Sequence, residues 1–279
     1  MRLLPVVSDM WAMHKPQLEA LIDILAEDIH AKKMTPSSET KIRNTDGDIA
    51  IINISGTIVK RHDFFSMLFG DTSTQEVEQA IIAAAKDSTI KAIMLYIDSP
   101  GGTISGLQEL SDAIVKAKGD KPVIAQVDGM AASAAYWIAS QATEIVVTPS
   151  GEVGGIGVYI AHLDKSKAME NEGYKVKLIK AGKYKTEANP FEPLGDDAEE
   201  YLQQRVDKVY DKFISTVAEG RGVDKKIVLE TYGKGRLLDA EEALKAGMVD
   251  RIATVRDTLD RFFSEAARQE RQRRMAKHR

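Results

Sequence analysis

The 279-residue sequence contains no cysteine, which excludes disulfide bonds, thiolate metal sites and a cysteine nucleophile. It also lacks an apolar run of roughly the 18 residues that a membrane-spanning helix needs. The apolar stretch at the start of the sequence is too short, and is interrupted too soon, to be a signal peptide. No spacing of side chains is typical of a metal site. We therefore expect a soluble, intracellular protein with no membrane anchor and no bound metal.

Charge is nearly balanced along the chain, with a net charge of −4 at pH 7. This value argues against a nucleic-acid footprint that covers the whole protein. The C-terminal end is a local exception, since its basic residues are offset only by Glu270. That end is either a solvated terminus or a segment that docks to an acidic partner or nucleic acid. Its basic residues are Arg268, Arg271, Arg273, Arg274, Lys277 and Arg279.

The pattern divides the chain into three parts. Residues 1–45 are predicted to be an N-terminal appendage, with an amphipathic helix over His14–Lys32 and a polar linker after it. Residues 46–252 are predicted to form the main domain. Residues 253–279 are predicted to form a helical tail that becomes strongly basic.

The main domain alternates short apolar runs with helical patterns, which is typical of an α/β fold with mostly parallel strands. The predicted strands are Ile49–Ile54, Ile90–Ile97, Val123–Val127, Glu144–Val147, Gly157–Ile160 and Lys175–Ile179. The predicted helices are Thr74–Lys86, Thr103–Lys118, Ser133–Gln141, Leu163–Glu172, Asp196–Arg221 and Asp239–Ala246, the last ended by Gly247.

Two segments at the ends of predicted strands could carry chemistry. Asp98-Ser99-Pro100-Gly101-Gly102 follows a buried strand, and its glycines free the backbone N–H groups to face a crevice. Ser133 lies at a strand-to-helix junction among small residues, where a substrate carbonyl can approach and free N–H groups favour an oxyanion. The alternatives are an ordinary turn for the first segment and a helix N-cap for Ser133.

A serine nucleophile needs a base. Of the five histidines, only His162 lies in the main domain after Ser133. A lysine can replace histidine where burial lowers its pKa, and Gly182-Lys183-Tyr184-Lys185-Thr186 supplies two lysines, although lysines in such loops are usually solvated. The residues alone leave the choice of base open.

Taken together, five motifs resemble those of the signal peptide peptidase A family of serine peptidases, within the Clp protease and crotonase superfamily. The resemblance covers roughly residues 46–252. The motifs are Asp98–Gly102, Met130–Tyr136, Gly154–Val158, Gly182–Lys185 with Pro190-Phe191 after it, and Ala243–Asp250.

The resemblance implies a Clp/crotonase-like core of repeated ββα units, with helical appendages at both ends. It implies that Ser133 is the nucleophile and Lys185 the general base of a Ser–Lys dyad. Backbone N–H groups near Gly101 or Gly102 and at Ala134 would hold the oxyanion, and no cofactor is needed. Thr186 stands where the family often has Asp or Ser, and it could still bond the lysine.

The N-terminal Trp11-Ala12-Met13 and the nucleophile motif look more like the branch of the family encoded by tailed phages and prophages. That branch is similar to head-maturation proteases, which cleave capsid or scaffold proteins in the host cytoplasm or the prohead. We also expect a homo-oligomer, a ring, because the amphipathic segments His14–Lys32 and Asp196–Arg221 exceed what the core needs. Substrates are expected to add as an extended strand beside Gly101-Gly102.

Three other functions stay open. The chain could be a catalytically silent assembly or scaffold protein on the same fold, a crotonase-type acyl-CoA enzyme, or a Clp-like Ser–His–Asp peptidase that uses His162. The apolar run Phe64–Phe69 is either core or subunit packing or a hydrophobic lip of the substrate groove.

Overall fold

A mostly parallel β-sheet runs through the part of the chain that this computed structural model describes, which comprises residues 11–13, 43–45, 49–62 and 70–264. Its central order is β10-β7-β6-β5-β3-β2, with β4 beside β3, β8 between β6 and β9, and β1 beside β5. The strands are β1 (Trp11–Met13), β2 (Arg43–Thr45), β3 (Ile49–Val59), β4 (Thr72–Ser73), β5 (Ala92–Thr103), β6 (Val123–Ala132), β7 (Glu144–Val147), β8 (Glu152–Gly154), β9 (Leu237–Asp239) and β10 (Arg251–Ile252).

Helices follow most of the central strands, as the alternation predicts. They are α1 (Thr74–Lys86), α2 (Leu107–Asp120), α3 (Ala134–Ala139), α4 (Ser166–Asn171), α5 (Asp196–Arg221), α6 (Lys225–Thr231) and α7 (Ala240–Ala246), with helical residues 255–264 after β10. Local chemistry sets several ends. The Asp239 carboxylate accepts the Glu242 N–H at 2.8 Å and so begins α7, and Gly247 in the left-handed region ends it.

The core lies where β3, β5 and β6 pack against the helices. Ile52, Leu95 and Val127 are fully buried in these strands, because parallel strands covered on both faces lose their contact with water. Trp137 of α3 packs on Phe213 of α5, with ring centroids 4.7 Å apart. The predicted α/β class with mostly parallel strands is confirmed.

Two predicted strands are wrong. Residues 157–160 carry only an isolated bridge at Tyr159, and the strand forms earlier, as β8. Residues 174–180 have no regular structure, and Ile179 is 93% exposed. A strand needs a hydrogen-bonding neighbour, and no described strand lies beside this segment. Residues 160–195, which we call the lysine arm, therefore run outside the sheet, with α4 as their only described helix.

Several predictions concern residues outside the described part of the chain. These are the helix His14–Lys32, the apolar run Phe64–Phe69 and the basic residues after Ser264. The two short strands β1 and β2 come from the predicted N-terminal appendage and join the sheet. Among the described helices, none combines the length and the apolar character needed to cross a membrane.

Candidate active site

Ser133 occupies a strained turn between β6 and α3. Its backbone has φ 54° and ψ −116°, a conformation that L-residues rarely adopt and that costs on the order of 1–3 kcal/mol. The turn is fixed by the Ser133 N–H, which donates to the Gly154 carbonyl at 2.7 Å. Ser133 holds the N-cap position of α3, but its side chain makes no capping hydrogen bond. Among the described residues, its hydroxyl reaches only the Gly157 carbonyl, at a limiting 3.5 Å.

Small residues surround this serine. Ala131, Ala132 and Ala134 are fully buried beside it, and Gly155 is so close that an added Cβ would lie 3.2 Å from the Ser133 nitrogen. The Gly154–Gly157 run therefore forms a wall of the site. The sequence marks this run as glycine-rich without assigning it a role, and its position after β8 explains the small residues.

The predicted glycine loop continues β5 instead of turning away from it. Gly101 and Gly102 lie within β5 and pair with β3. An added Cβ at Gly102 would lie 1.9 Å from the Ile58 carbonyl oxygen, so only glycine permits this approach. The Ser99 hydroxyl donates to the Gly56 carbonyl at 2.6 Å and accepts the Gly101 N–H at 3.2 Å. The Gly101 N–H, one of the predicted oxyanion donors, is therefore engaged by Ser99 in this structure.

Asp98 and Asp128 support the same end of the sheet. The Asp98 carboxylate accepts the Met130 N–H at 3.2 Å, which ties β6 to β5 three residues before the nucleophile. The Tyr96 hydroxyl donates to the Asp128 carboxylate, and this hydrogen bond is the main reason that the pKa of Tyr96 rises to about 12. Sequence reasoning missed both supporting roles, although Asp98 belongs to a motif that it singled out.

Lys185 lies in a different environment. It is exposed in the turn over residues 183–188 of the lysine arm. Among the described residues, no hydrogen bond or ion pair joins its amine to Ser133 or to Thr186. The neighbouring Lys183 amine donates to the Tyr184 hydroxyl at 2.7 Å. Ser133 and Ala134 thus follow β6, which is the neighbour of the strand that contains Gly101 and Gly102, and no described hydrogen bond or ion pair joins Lys185 to any of them.

Asn189 organises the turn that carries Lys185. Its amide donates to the Thr186 carbonyl at 2.8 Å, and its carbonyl oxygen accepts the Phe191 N–H at 2.9 Å. The Lys165 N–H donates to the Pro190 carbonyl at 2.8 Å, which ties the two ends of the arm together. These local bonds shape the arm without joining it to the sheet.

A cleft of about 260 Å³ separates the lysine arm from the first turns of α5. Its lining includes His162, Tyr184, Ala188, Tyr201 and Arg205, and it does not include Ser133. The His162 Nε2 is buried without a hydrogen-bond partner. Nothing in the described residues links His162 to the serine, as a Ser–His pair requires. No cluster of three or more acidic or histidine side chains is placed to hold a metal ion within the described ranges.

The last predicted motif is structural. The Arg221 guanidinium donates to both Asp250 carboxylate oxygens, at 2.7 and 3.0 Å, and the Ile145 N–H donates to the same carboxylate at 2.8 Å. Burial raises the pKa of Asp250, but the hydrogen bonds from Arg221 and Ile145 outweigh it and hold the pKa below its ordinary value of 3.8. This cluster joins α5 to β7 on the sheet that carries Ser133.

A profile described as peptidase family S49 matches residues 115–269, which is more than half of the chain, and a Clp protease profile matches residues 48–151. The second match confirms the predicted Clp-like core. The first spans the nucleophile turn, the lysine arm and the Arg221–Asp250 pair.

Individual relatives include phage and bacterial proteins. The chain is similar to the capsid assembly protease C of Escherichia phage lambda, at 33% identity over 76% of this chain and 49% of the relative. It is 29% identical to the head-tail preconnector protein GP5 of Enterobacteria phage P21, over 76% and 42% of the two chains. It is 28% identical to protease 4 of Haemophilus influenzae, over 78% and 35%. The chain thus spans about half the length, or less, of these relatives.

Proposed function

The chain belongs to peptidase family S49, and from this premise we propose that it is a serine endopeptidase in which Ser133 and Lys185 form the catalytic dyad. One observation carries the proposal. Ser133 is held in a strained turn after β6, the strand that pairs with β5, and its side chain makes no capping hydrogen bond. Such strain persists only where the surrounding structure enforces it, and it clusters at active sites.

The proposed reaction passes through an acyl-enzyme. The Ser133 hydroxyl oxygen attacks the carbonyl carbon of the peptide, and the Lys185 amine takes the hydroxyl proton. N–H groups of Gly101 or Gly102 and of Ala134 stabilise the negative oxygen of the tetrahedral intermediate. The C–N bond then breaks as the proton passes to the leaving amine. Water attacks the resulting ester, and the Ser133 hydroxyl is restored.

Lys185 must approach Ser133 for this to occur, because a proton moves only across hydrogen-bond distance. The exposed lysine arm can close on the sheet of its own chain, or it can reach the serine of a neighbouring copy. The second route agrees with the proposed homo-oligomer. Tyr174, Ile179 and Tyr201 are all more than half exposed on the arm and the adjoining turns of α5, and such apolar surface usually marks an interface.

For the substrate, we propose an extended peptide that adds as a strand beside Gly101 and Gly102. The small side chains of Ala131, Ala132 and Ala134 leave room only for small or medium apolar residues before the cut. The name of the lambda relative, a capsid assembly protease, supports a capsid or scaffold protein as the natural substrate.

The test is fluorophosphonate labelling and peptide cleavage by the full chain and its variants. Ser133→Ala and Lys185→Met should each lower kcat at least about a thousandfold, while Lys183→Met, the matched control on the same turn, should lose much less. Full labelling of Ser133→Ala would overturn the assignment of the nucleophile. Unchanged cleavage by Lys185→Met together with loss in Lys183→Met would overturn the assignment of the base.

Mixing the two inactive variants tests how the dyad assembles. If a neighbouring copy supplies the lysine, a mixture of Ser133→Ala and Lys185→Met regains partial activity, because some sites combine an intact serine with an intact lysine. If the arm closes within one chain, the mixture stays inactive.

A silent assembly protein would show neither labelling nor cleavage in the unmodified chain, and an acyl-CoA enzyme would instead turn over CoA esters.

A further inference from the structure

Strand β1 lies where the proposed function would seat a substrate. Gly102 pairs with Ala12 of β1, Gly101 pairs with Met13, and the two strands run antiparallel. A peptide that adds as a strand to this part of β5 would form the same kind of pairing. The chain's own residues 11–13 and a substrate would therefore compete for one edge.

The sheet order fixes the side on which β1 lies. A strand has two hydrogen-bonding edges, and at Gly101 and Gly102 one of them is occupied by β3. β1 must take the other edge, which is the side of β6. The last pair between β5 and β6 is Ser99 with Ala131, so Gly101 and Ser133 are each two residues further on. Met13 thus pairs at the level of the nucleophile.

Burial of the site agrees with an occupied edge. Ser133 is 1% exposed, and Gly101 and Gly102 are buried as well. A serine that attacks peptide bonds must be reached by a substrate carbonyl, so some part of the chain has to be displaced first. β1 is the best candidate, because among the described strands it pairs with β5 alone.

We propose that β1 is a built-in occupant of the peptide-binding edge, which an extended substrate displaces before cleavage. This inference rests on the proposed function for its catalytic consequence, whereas the pairing itself can be tested without catalysis. Because the apparent affinity for substrate falls with the fraction of molecules that have the edge free, weakening β1 should lower KM and leave kcat unchanged.

The variant is Ala12→Pro with Met13→Pro in the full chain. Successive N–H groups in a strand point to opposite sides, so this pair removes a ladder donor whichever of the two faces β5. The matched control is Ala12→Ser with Met13→Leu, which keeps both N–H groups. Thermal unfolding of both variants should match that of the parent chain, because β1 is only three residues long and pairs with a single strand.

Hydrogen exchange is measured at the Gly102 and Thr103 amides in a Ser133→Ala background, where no cleavage occurs. Because neighbouring amides face opposite edges, the one of the two that faces β1 should exchange about tenfold faster or more in the proline variant, and the one that faces β3 should not change. The control variant should change neither. A synthetic peptide of residues 7–17 should restore protection to the proline variant. Equal exchange in parent and proline variant, in correctly folded protein, would overturn the proposal.

Cleavage of an extended peptide gives the second readout. The proline variant should show a KM about fivefold lower or more, at an unchanged kcat, and the 7–17 peptide should inhibit it competitively. An unchanged or higher KM would contradict the proposal. If no variant cleaves any peptide, the proposed function fails, and the exchange experiment still decides whether β1 occupies the edge.

Discussion

Ser133 and Lys185, the two residues of the proposed dyad, lie in regions that are built in opposite ways. The serine is buried in a turn whose backbone is hydrogen-bonded to Gly154 of β8. On the neighbouring β5, Gly102 has to be glycine because β3 approaches it so closely. The lysine is exposed on an arm held mainly by its own short-range hydrogen bonds. One half of the site is fixed by the sheet, and the other half is set by a surface segment.

This difference follows from what each residue has to do. A strained nucleophile needs rigid surroundings, because any relaxation of its φ would move the hydroxyl away from the oxyanion donors. A base on a mobile surface segment can instead make catalysis depend on the closure of that segment over the serine, or on the assembly of several copies of the chain. We therefore expect substitutions near Ser133 to lower stability and activity together, and substitutions on the arm to lower mainly activity, with a smaller effect on stability.

The sharpest contrast should come from one glycine in each region. Gly102→Ala would place a Cβ 1.9 Å from the Ile58 carbonyl oxygen and force β3 and β5 apart, at a cost of about 3 kcal/mol or more in the free energy of unfolding. An added Cβ at Gly182 on the arm would make only an ordinary contact, 3.8 Å from the Lys185 Cβ, but the φ of 98° strains an alanine, so Gly182→Ala should cost about 1 kcal/mol. Urea unfolding measures both, and equal losses would contradict the contrast.

A second, smaller effect is expected at the Arg221–Asp250 pair. Asp250→Ala leaves the partly buried Arg221 guanidinium and the Ile145 N–H without their acceptor. Because the Asp250 side chain is 38% exposed, water offsets part of the loss, which should be about 1–2 kcal/mol at pH 7. Since folding lowers the pKa of Asp250, its stabilisation is present above the ordinary value of 3.8 and is lost as the pH falls through the lower folded pKa. The difference between parent and variant should therefore shrink below about pH 4.

The matched control for this pair is Asp260→Ala, which removes an exposed ion pair with Arg256. Solvent screens such a pair, so no measurable change is expected. Urea unfolding at several pH values follows both variants. A loss at Asp250 that stays constant from pH 7 to pH 3 would show that the carboxylate charge is not the source of the stabilisation.

The sequence predicts the sheet that carries Ser133 better than it predicts the lysine arm. β5 and β6 are recognised because continuous apolar runs are typical of strands buried on both faces, and α5 begins and ends where its pattern predicts. The strands predicted at Gly157–Ile160 and Lys175–Ile179 are wrong, because local residue preference carries no information about whether a neighbouring strand exists.

The site shows a similar limit. Ser133 and Ala134 follow β6, and Gly101 and Gly102 end the neighbouring β5, because the carboxyl ends of parallel strands lie at the same edge of the sheet. Their roles at the site stay predictions. The supporting role of Ser99 depends on the course of the chain around Gly56, which lies 43 residues away in the sequence. The position of Lys185 relative to Ser133 depends on an arm outside the sheet, and no strand register fixes it. The role of Lys185 stays a prediction.

The smallest effect on stability should come from the turn that carries this lysine. Asn189→Ala removes the hydrogen bonds to the Thr186 carbonyl and from the Phe191 N–H, both of which lie within the arm. Because the arm contributes little to the core, the free energy of unfolding should change by less than about 0.5 kcal/mol. The turn that carries Lys185 would nevertheless lose its local order, so kcat should fall about tenfold at an unchanged KM. Amide exchange over residues 186–191 should rise while exchange in β5 and β6 stays slow.

Asn171→Ala, an exposed substitution at the end of α4 on the same arm, is the control and should alter none of these quantities. If Asn189→Ala destabilises the protein as much as Asp250→Ala, the arm is part of the cooperative core, and the contrast between the two halves of the site is wrong.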